Sequence, residues 1–154
     1  KFVSDVKVPL TIEMGRYIAA TCGRFETSVK DIKTNNGVTY AIVDGGIHHI
    51  NYYRQIMSMN KPPVSQSGSE ERKKIRYTIC GSLCTVADVL VKDIELNELH
   101  VGDILTFHRV GAYSVCESPA LFLSRKLPYV YAENDEGLFL LRDNIPTNNF
   151  NSSR

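Results

Sequence analysis

Short strand-like runs separated by turn signals recur along this chain of 154 residues, and they restrict its fold more than any other feature. Residues 38–43 follow Asn35-Asn36-Gly37, a sequence typical of a tight β-hairpin turn. Residues 75–79 alternate with the period of two that a half-buried strand shows. The other runs that we predict as strands are 8–12, 27–33, 103–110, 127–132 and 138–142. Such a series with little helix predicts an all-β fold, a sandwich or a barrel.

The remaining segments predict two short helices, a hairpin turn, a long loop and a tail. The helices are expected at 15–22 and 48–57, and the turn at 133–137. Residues 60–74 combine Pro, Ser and Gly with a charged run, which predicts a long loop that is either mobile or functional. Residues 144–154 are rich in Asn and Ser and are expected to be a frayed polar tail, so we expect the domain to cover 1–143.

Composition excludes several classes of protein. With 43% hydrophobic and 23% charged residues, the chain is globular rather than disordered. Its 18 basic and 17 acidic side chains leave a net charge of +1, which attracts neither nucleic acid nor acidic membranes. Scattered tyrosines and the lack of a basic face also argue against an oligonucleotide-binding barrel. No apolar run approaches the roughly 18 residues of a membrane span, and no signal pattern is present, so a cytoplasmic location is expected.

The cysteines indicate reduced thiols rather than a disulfide framework or a zinc site. The chain has four cysteines, too few and too scattered for a disulfide scaffold. Cys80 and Cys84 form one loosely spaced pair, whereas structural zinc sites use two tight pairs. His48 and His49 are adjacent, and on a strand their side chains would face opposite ways. No metal is therefore expected, and a role for the two histidines stays open.

Two glycine motifs precede and follow the first predicted hairpin. In Glu13-Met14-Gly15-Arg16, glycine lets a ligand approach the backbone at a helix start, and Arg16 could grip a phosphate or carboxylate. A turn glycine beside a solvated ion pair explains the same residues. Asp44-Gly45-Gly46 after an apolar strand is usually only a turn.

Two further motifs lie in the second half of the chain. Gly81-Ser82-Leu83-Cys84-Thr85, followed by Asp88, could present a thiol, a hydroxyl and a carboxylate on one loop. The alternative is that the cysteines are small buried apolar residues, and we accept this interpretation for Cys80. Tyr113 follows Gly111 and Ala112 at a strand end, where its hydroxyl could bind phosphate or its ring could simply fill the core.

In this order, the motifs resemble the C-terminal half of fold-type III pyridoxal-phosphate decarboxylases, the diaminopimelate, ornithine and arginine decarboxylase group. That family carries Glu-Pro-Gly-Arg, an Asp-Gly turn, Gly-Pro-x-Cys with a later Asp, Val-Gly-Asp and Gly-Ala-Tyr. The resemblance covers about residues 8–142, with Met14 and Ser82 in place of prolines. It implies a Greek-key-like β-barrel with one or two short helices, like the C-terminal domains of alanine racemase and ornithine decarboxylase.

The resemblance also implies roles for individual residues. Glu13 would face the pyridine nitrogen of pyridoxal 5'-phosphate. Gly15, Arg16 and Tyr113 would hold its phosphate, and Arg16 could also reach a substrate carboxylate. Cys84 would lie in the active site of the partner subunit, where it helps to return a proton after carbon dioxide leaves.

Positions 85 and 88 would face the substrate. Thr85 replaces the acidic residue expected of diaminopimelate or ornithine enzymes, and it can hydrogen-bond but cannot pair with a distal ammonium. Asp88 would lie near the subunit interface. The Asp-Gly-Gly-Ile-His-His and Leu-Cys-Thr versions are similar to a subgroup in which some members act on amino acids tethered to carrier proteins.

The family's N-terminal (β/α)8 barrel, which carries the cofactor-binding lysine, has no counterpart in this sequence. We therefore expect the chain to be the C-terminal domain of a homodimeric decarboxylase that acts on an amino acid or a carrier-tethered amino acid, and to be inactive alone. A non-catalytic regulatory or binding relative is the alternative.

Overall fold

The computed structural model describes residues 8–51, 61–68 and 71–152. The strands are β1 Arg24–Asn35, β2 Val38–Val43, β3 Val64–Gln66, β4 Lys74–Cys80, β5 Val89–Asn97, β6 Ile104–His108, β7 Val130–Asn134 and β8 Gly137–Arg142. Two short α-helices, α1 Gly15–Ala19 and α2 Asn148–Asn151, lie outside the sheets, and 3-10 turns cover Ala20–Cys22 and Phe122–Ser124. The prediction of an all-β fold with one or two short helices is confirmed.

Six of these strands form one curved sheet in the order β3-β6-β1-β2-β4-β5, and β7 and β8 form a separate hairpin. Strand β1 is long and pairs with two strands along different parts of its length. Residues 24–28 pair with β6, and residues 29–35 pair with β2. All pairs are antiparallel except β2 with β4. The outer strands β3 and β5 approach each other across a polar gap of about 290 Å³, so the sheet is a nearly closed barrel.

The turn between β1 and β2 is the tight hairpin that the sequence predicts. Asn36 and Gly37 have φ values of 48° and 78°, the left-handed conformation that two-residue hairpin turns require. Asn35 is therefore paired with Val38, and Thr34 with Thr39. The β7–β8 hairpin across residues 133–137 is confirmed in the same way by the pairing of Asn134 with Gly137.

Alternate residues of the strands fill the barrel interior. Side chains on the inner faces of β1, β2, β4 and β6 are almost completely buried. These are Val29, Ala41, Val43, Tyr77, Ile79, Leu105 and Phe107. The Tyr77 hydroxyl accepts a hydrogen bond of 3.0 Å from the Leu99 backbone N–H, so its polar end is satisfied inside the core.

The strand predictions were wrong at three places. Residues 8–12 form no strand, and Val8 and Ile12 are exposed, because no neighbouring strand within the described residues pairs with them. The predicted loop at 60–74 contains β3, which pairs with β6, and the sequence analysis missed β5. The predicted helix at 48–57 lies mostly outside the described residues, and residues 47–49 form a turn.

The expectation of a frayed tail is wrong for residues 144–152. Thr147 is fully buried, and its hydroxyl donates a 2.7 Å hydrogen bond to the Arg125 carbonyl. The Asn144 amide donates to the Leu127 carbonyl over 2.8 Å. Polar side chains make this segment look like a free tail, but here they bond the backbone of residues 121–127. Among the described residues, no helix is long and apolar enough to cross a membrane.

Candidate active site

Helix α1 and the turn after β6 bring three predicted cofactor-binding residues together. A Cβ atom built on Gly15 would lie 2.5 Å from the Tyr113 hydroxyl oxygen, so the phenol occupies the space that glycine leaves open. The Arg16 guanidinium carbon lies 4.8 Å from the centre of the Tyr113 ring, in cation–π contact. Tyr113 has a φ of 65°, an uncommon conformation for a non-glycine residue. We call Gly15, Arg16 and Tyr113 the phosphate-side group.

The phosphate-side group suits an anion. Tyr113 is 49% exposed, which leaves its hydroxyl accessible as a donor. Arg16 is oriented by a 3.3 Å hydrogen bond to the Ala112 carbonyl and a 3.4 Å ion pair with Glu117. Helix α1 has only five residues, so its N-terminus is not counted as an anion site. The groups that suit an anion are the hydroxyl, the guanidinium and the open glycine. These residues fit the phosphate of the cofactor that the sequence motifs imply.

Glu13 lies on the exposed segment that leads into α1. Glu13 lies three positions before Arg16, so the chain limits the distance between their Cα atoms to roughly 11 Å. Glu13 is therefore held close to the phosphate-side group. Its predicted contact with the pyridine nitrogen stays a prediction.

The Asp-Gly-Gly motif and the Cys84 motif, far apart in sequence, form one structural unit. Asp88 is 2% exposed, and its carboxylate accepts hydrogen bonds from the backbone N–H groups of Ile47 at 2.8 Å and Leu83 at 2.7 Å. A Cβ atom on Gly46 would lie 2.6 Å from this carboxylate, so the glycine permits the close approach. We call residues 81–88 the Cys84 loop.

Ser82 fastens the same unit from the other side. Its backbone N–H donates to the Gly45 carbonyl at 2.8 Å, and its hydroxyl donates to the Asp44 carbonyl at 3.0 Å. Cys84 and Thr85 follow at the outer end of the loop, where Cys84 is exposed and Thr85 half-buried. The loop thus holds a thiol out to solvent on a base that is hydrogen-bonded to the barrel.

Asp44 is the fixed negative charge beneath this unit. Thr27 and Ser28 donate their hydroxyls to its carboxylate, each over 2.6 Å, and Lys30 lies 3.3 Å away. Burial alone would raise the pKa of Asp44, but the hydrogen bonds from Ser28 and Thr27 outweigh it and hold the pKa well below its usual range. The Asp-Gly-Gly turn is therefore anchored to β1 by an ionised carboxylate.

The two histidines that follow lie in a turn and not on a strand, and the centres of their rings are 3.8 Å apart. His48 is 2% exposed. Burial lowers its pKa to about 4, with the neighbouring His49 and Arg125 acting in the same direction. The His49 Nε2 atom lies 3.1 Å from the Lys126 carbonyl oxygen. Within residues 8–51, 61–68 and 71–152, no group of three or more metal-binding side chains is arranged to hold an ion.

Residues 44–51 connect the Cys84 loop to the phosphate-side group. Their first half bonds Ser82 and Asp88, as described above. At the other end, the Asn51 backbone N–H donates to the Ser114 carbonyl over 2.7 Å, and its side chain donates to the Glu117 carbonyl over 3.2 Å. The two groups of predicted site residues therefore share one supporting segment.

Sequence reasoning missed Arg125 as part of this region. Its Nη2 atom donates to the Ser82 hydroxyl at 2.8 Å and to the Ser82 carbonyl at 3.3 Å. The only sequence signal was the serine at position 82, where the family pattern has proline. Nothing in the sequence near Arg125 indicates this contact, because the two residues are 43 positions apart.

Comparisons with known proteins identify the family of this chain. Residues 2–111 match the family model described as pyridoxal-dependent decarboxylase, C-terminal sheet domain. The chain is 35% identical over 149 residues to L-glutamyl-[BtrI acyl-carrier protein] decarboxylase of Niallia circulans, covering 90% of this chain and 34% of that protein. It is 28% identical over 144 residues to diaminopimelate decarboxylase of Methanocaldococcus jannaschii, covering 93% and 32%.

A solved structure of diaminopimelate decarboxylase from M. jannaschii superposes with a TM-score of 0.76 at 26% identity, covering 86% of this chain and 30% of that one. The chain thus spans about a third of the length of the curated relatives it matches. The family model covers most of the chain, including both glycine motifs, the Cys84 loop and the start of the Tyr113 turn. This chain belongs to the family of C-terminal sheet domains of pyridoxal-dependent decarboxylases.

Proposed function

We propose that this chain completes the cofactor pocket and the subunit interface of a pyridoxal-phosphate-dependent amino-acid decarboxylase. The observation that carries the proposal is the phosphate-side group, in which an open glycine, a guanidinium and an accessible phenol converge from α1 and the 111–113 turn. Such a set has no use in the core of a barrel. Family membership supports the same reaction class.

In this proposal the residues of the chain bind and orient, and the cofactor, when bound, supplies the electron sink that stabilises the carbanion left by decarboxylation. Arg16 and the Tyr113 hydroxyl hold the phosphate by charge-assisted hydrogen bonds. Glu13 pairs with the pyridine nitrogen and keeps its proton in place. Arg16 also reaches the substrate carboxylate.

Cys84 acts as the proton donor at the substrate carbon in the partner subunit's site. Its thiol is exposed on a loop whose base is fixed by Ser82 and Asp88, which suits a group that must reach outside its own domain. In the proposal Thr85 stands at the substrate end of this loop, and Asp88 acts on substrate binding from the base of the loop. The buried carboxylate of Asp88 supports the loop backbone, so its part in substrate binding is to shape the loop.

The substrate that we propose is an amino acid whose far end carries no free ammonium, such as one tethered to a carrier protein through that end. Thr85 supports this class, since a hydroxyl can hydrogen-bond a neutral group but cannot pair with a cation. The relative from Niallia circulans is named for an L-glutamyl carrier-protein substrate.

The proposal includes an N-terminal (β/α)8 barrel with the cofactor-binding lysine, a homodimer, and a cytoplasmic location. Large apolar side chains are exposed on α1, on the segment before it and on β8, as expected of surfaces that another domain or subunit covers. They include Leu10, Ile12, Tyr17, Ile18, Leu138, Leu140 and Leu141. All four cysteines are free, which fits a reducing compartment.

The test is decarboxylation by the full-length protein that contains this chain, with added pyridoxal phosphate and amino acids that are free or loaded on a carrier protein. We expect carbon dioxide release, and a Cys84→Ser variant that binds the cofactor but has a kcat lower by roughly 100-fold. Cys22→Ser is the matched control, because Cys22 is also exposed. Cofactor binding without release from any substrate would instead favour a non-catalytic relative.

A further inference from the structure

We infer that Arg125 is a positioning residue for the Cys84 loop, and that residues 144–152 hold Arg125 in place. The catalytic consequence rests on the proposed function, whereas the mechanical coupling does not. The inference starts from Ser82, which lies two residues before Cys84 and accepts a 2.8 Å hydrogen bond from Arg125 Nη2. The same nitrogen donates to the Ser82 carbonyl.

Ser82 is the point at which the loop meets the barrel. It donates its N–H to the Gly45 carbonyl and its hydroxyl to the Asp44 carbonyl, while its hydroxyl oxygen accepts from Arg125. A hydroxyl can donate once and accept at the same time, so these contacts are compatible. Proline at this position could provide neither the N–H nor the hydroxyl, so the 2.8 Å hydrogen bond from Arg125 to the hydroxyl depends on serine here.

The backbone that presents Arg125 is unusual. Leu123 and Ser124 have φ values of 56° and 53°, two consecutive non-glycine residues in the left-handed region. That conformation is strained for residues other than glycine and persists only where neighbouring groups hold it. The side-chain amide of Asn151 donates to the Leu121 carbonyl at 2.6 Å and to the Ser124 hydroxyl at 2.9 Å. Helix α2 therefore clamps the turn just before Arg125.

Thr147 clamps Arg125 itself. Its buried hydroxyl donates to the Arg125 carbonyl at 2.7 Å. One residue further on, the Lys126 carbonyl oxygen lies within hydrogen-bond distance of the His49 ring. The Leu127 N–H donates to the Ile145 carbonyl, and the Asn144 side-chain amide donates to the Leu127 carbonyl. A continuous set of hydrogen bonds thus runs from the C-terminal segment through Arg125 and Ser82 to the Cys84 loop.

The experiment compares variants of the full-length protein by hydrogen exchange of the amides in residues 80–88 and by steady-state kinetics. Arg125→Gln removes the charged donor, and we expect exchange in the Cys84 loop to become roughly tenfold faster, since a bond to a charged group is lost. The kcat should fall by a similar factor of roughly ten and KM should change less, because Arg16 on α1, the group proposed to bind the substrate carboxylate, is untouched. Arg125→Lys should restore most of both values.

Ser82→Ala supplies the second arm. In the Arg125→Gln background it should add less than it does in the unaltered protein, because both changes remove the contact between Arg125 and the Ser82 hydroxyl. The effect that remains there reports the separate hydrogen bond from the Ser82 hydroxyl to the Asp44 carbonyl. Thr147→Val keeps the shape of the side chain and removes the hydroxyl. It should also make amide exchange in residues 80–88 faster. Arg76→Gln is the matched control, since Arg76 is an exposed arginine of β4 that pairs with Asp93 of β5.

Unchanged exchange in residues 80–88 of the Arg125→Gln protein overturns the inference, as does strict additivity of the Arg125 and Ser82 changes. Faster exchange in this loop together with unchanged kcat overturns the claim that Arg125 affects catalysis. It leaves only the structural brace, the set of hydrogen bonds from residues 144–152 through Arg125 to Ser82. If the unaltered protein shows no decarboxylation, the proposed function fails, but the exchange measurement still decides whether the brace exists.

Discussion

Glycines in the candidate site differ in what a side chain added at each would meet. At Gly15 it would meet the Tyr113 hydroxyl, the far end of a side chain that can rotate away. At Gly81 it would meet both carboxylate oxygens of Asp88 and the backbone of Gly46, which cannot move without breaking buried hydrogen bonds. A substitution at Gly15 would therefore displace a group that faces the ligand, whereas a substitution at Gly81 would destabilise the fold.

We expect Gly15→Ala to weaken cofactor binding while the domain stays folded. The new methyl group displaces the Tyr113 hydroxyl, so a charge-assisted hydrogen bond to phosphate worth about 2 kcal/mol is lost and the Kd rises by roughly 30-fold. Fluorescence titration of the full-length protein with pyridoxal phosphate measures this. Tyr113→Phe should show a similar loss, and no further loss should appear when the two changes are combined. Unchanged affinity in both variants would contradict the assignment of the phosphate-side group.

His48 predicts a pH dependence of stability. Burial lowers its pKa to about 4 in the folded state, with smaller contributions from His49 and Arg125, whereas the unfolded value is about 6.5. The unfolded state therefore binds more protons between these values, and the unfolding free energy falls as the pH is lowered through this window, by on the order of 2 kcal/mol. Urea unfolding at several pH values measures the slope of the unfolding free energy against pH. This slope should be smaller for His48→Gln than for the unaltered protein. His100→Gln, at an exposed histidine, is the control, and equal slopes for all three proteins would count against the prediction.

Among elements, the barrel provides a rigid base and the loops carry the site. Strand β1 anchors Asp44, the first residue of the Asp-Gly-Gly turn. The turn region then holds the Cys84 loop through hydrogen bonds with Ser82 and Asp88. The side chains of Ser82 and Asp88 hydrogen-bond backbone groups, and the side chain of Leu83 is buried, so both hydrogen bonds and packing position the loop.

Asp88→Ala should destabilise the domain more than an exposed aspartate would. It leaves the N–H groups of Ile47 and Leu83 without their acceptor in a buried place, at a cost of about 1–3 kcal/mol for each. We expect the midpoint of chemical unfolding to fall clearly, with Asp31→Ala on the exposed face of β1 changing it little. A loss no larger than that of the control would show that water replaces the carboxylate.

For the molecule as a whole, the exposed apolar surface supports the proposal that another domain or subunit covers part of the barrel. Tyr17 and Ile18 on α1 are 81% and 73% exposed, next to the phosphate-side group. Burying such side chains releases roughly 25 cal/mol for each Å² of apolar surface, which favours a covering domain or subunit.

We expect this chain, produced alone, to release no carbon dioxide from any amino acid and to bind a hydrophobic dye more strongly than the full-length protein does. Both follow from a cofactor pocket and an apolar surface that another part of the enzyme completes. Dye fluorescence at equal molar concentration and a carbon dioxide assay are the two measurements. Measurable turnover by the chain alone would refute the proposed division of the site.

The sequence by itself determined the strand-rich fold, the β1–β2 hairpin and the motifs of the family, because alternation, turn residues and short motifs are local properties. It could not indicate that Asp88 supports the Asp-Gly-Gly turn, that the rings of the two histidines lie against each other, or that Thr147 and Arg125 hydrogen-bond their way to Ser82. Those contacts join residues that are distant in the chain, and a polar side chain looks the same in sequence whether it meets water or a buried backbone group. Only the closure of the sheet decided which of the two it meets.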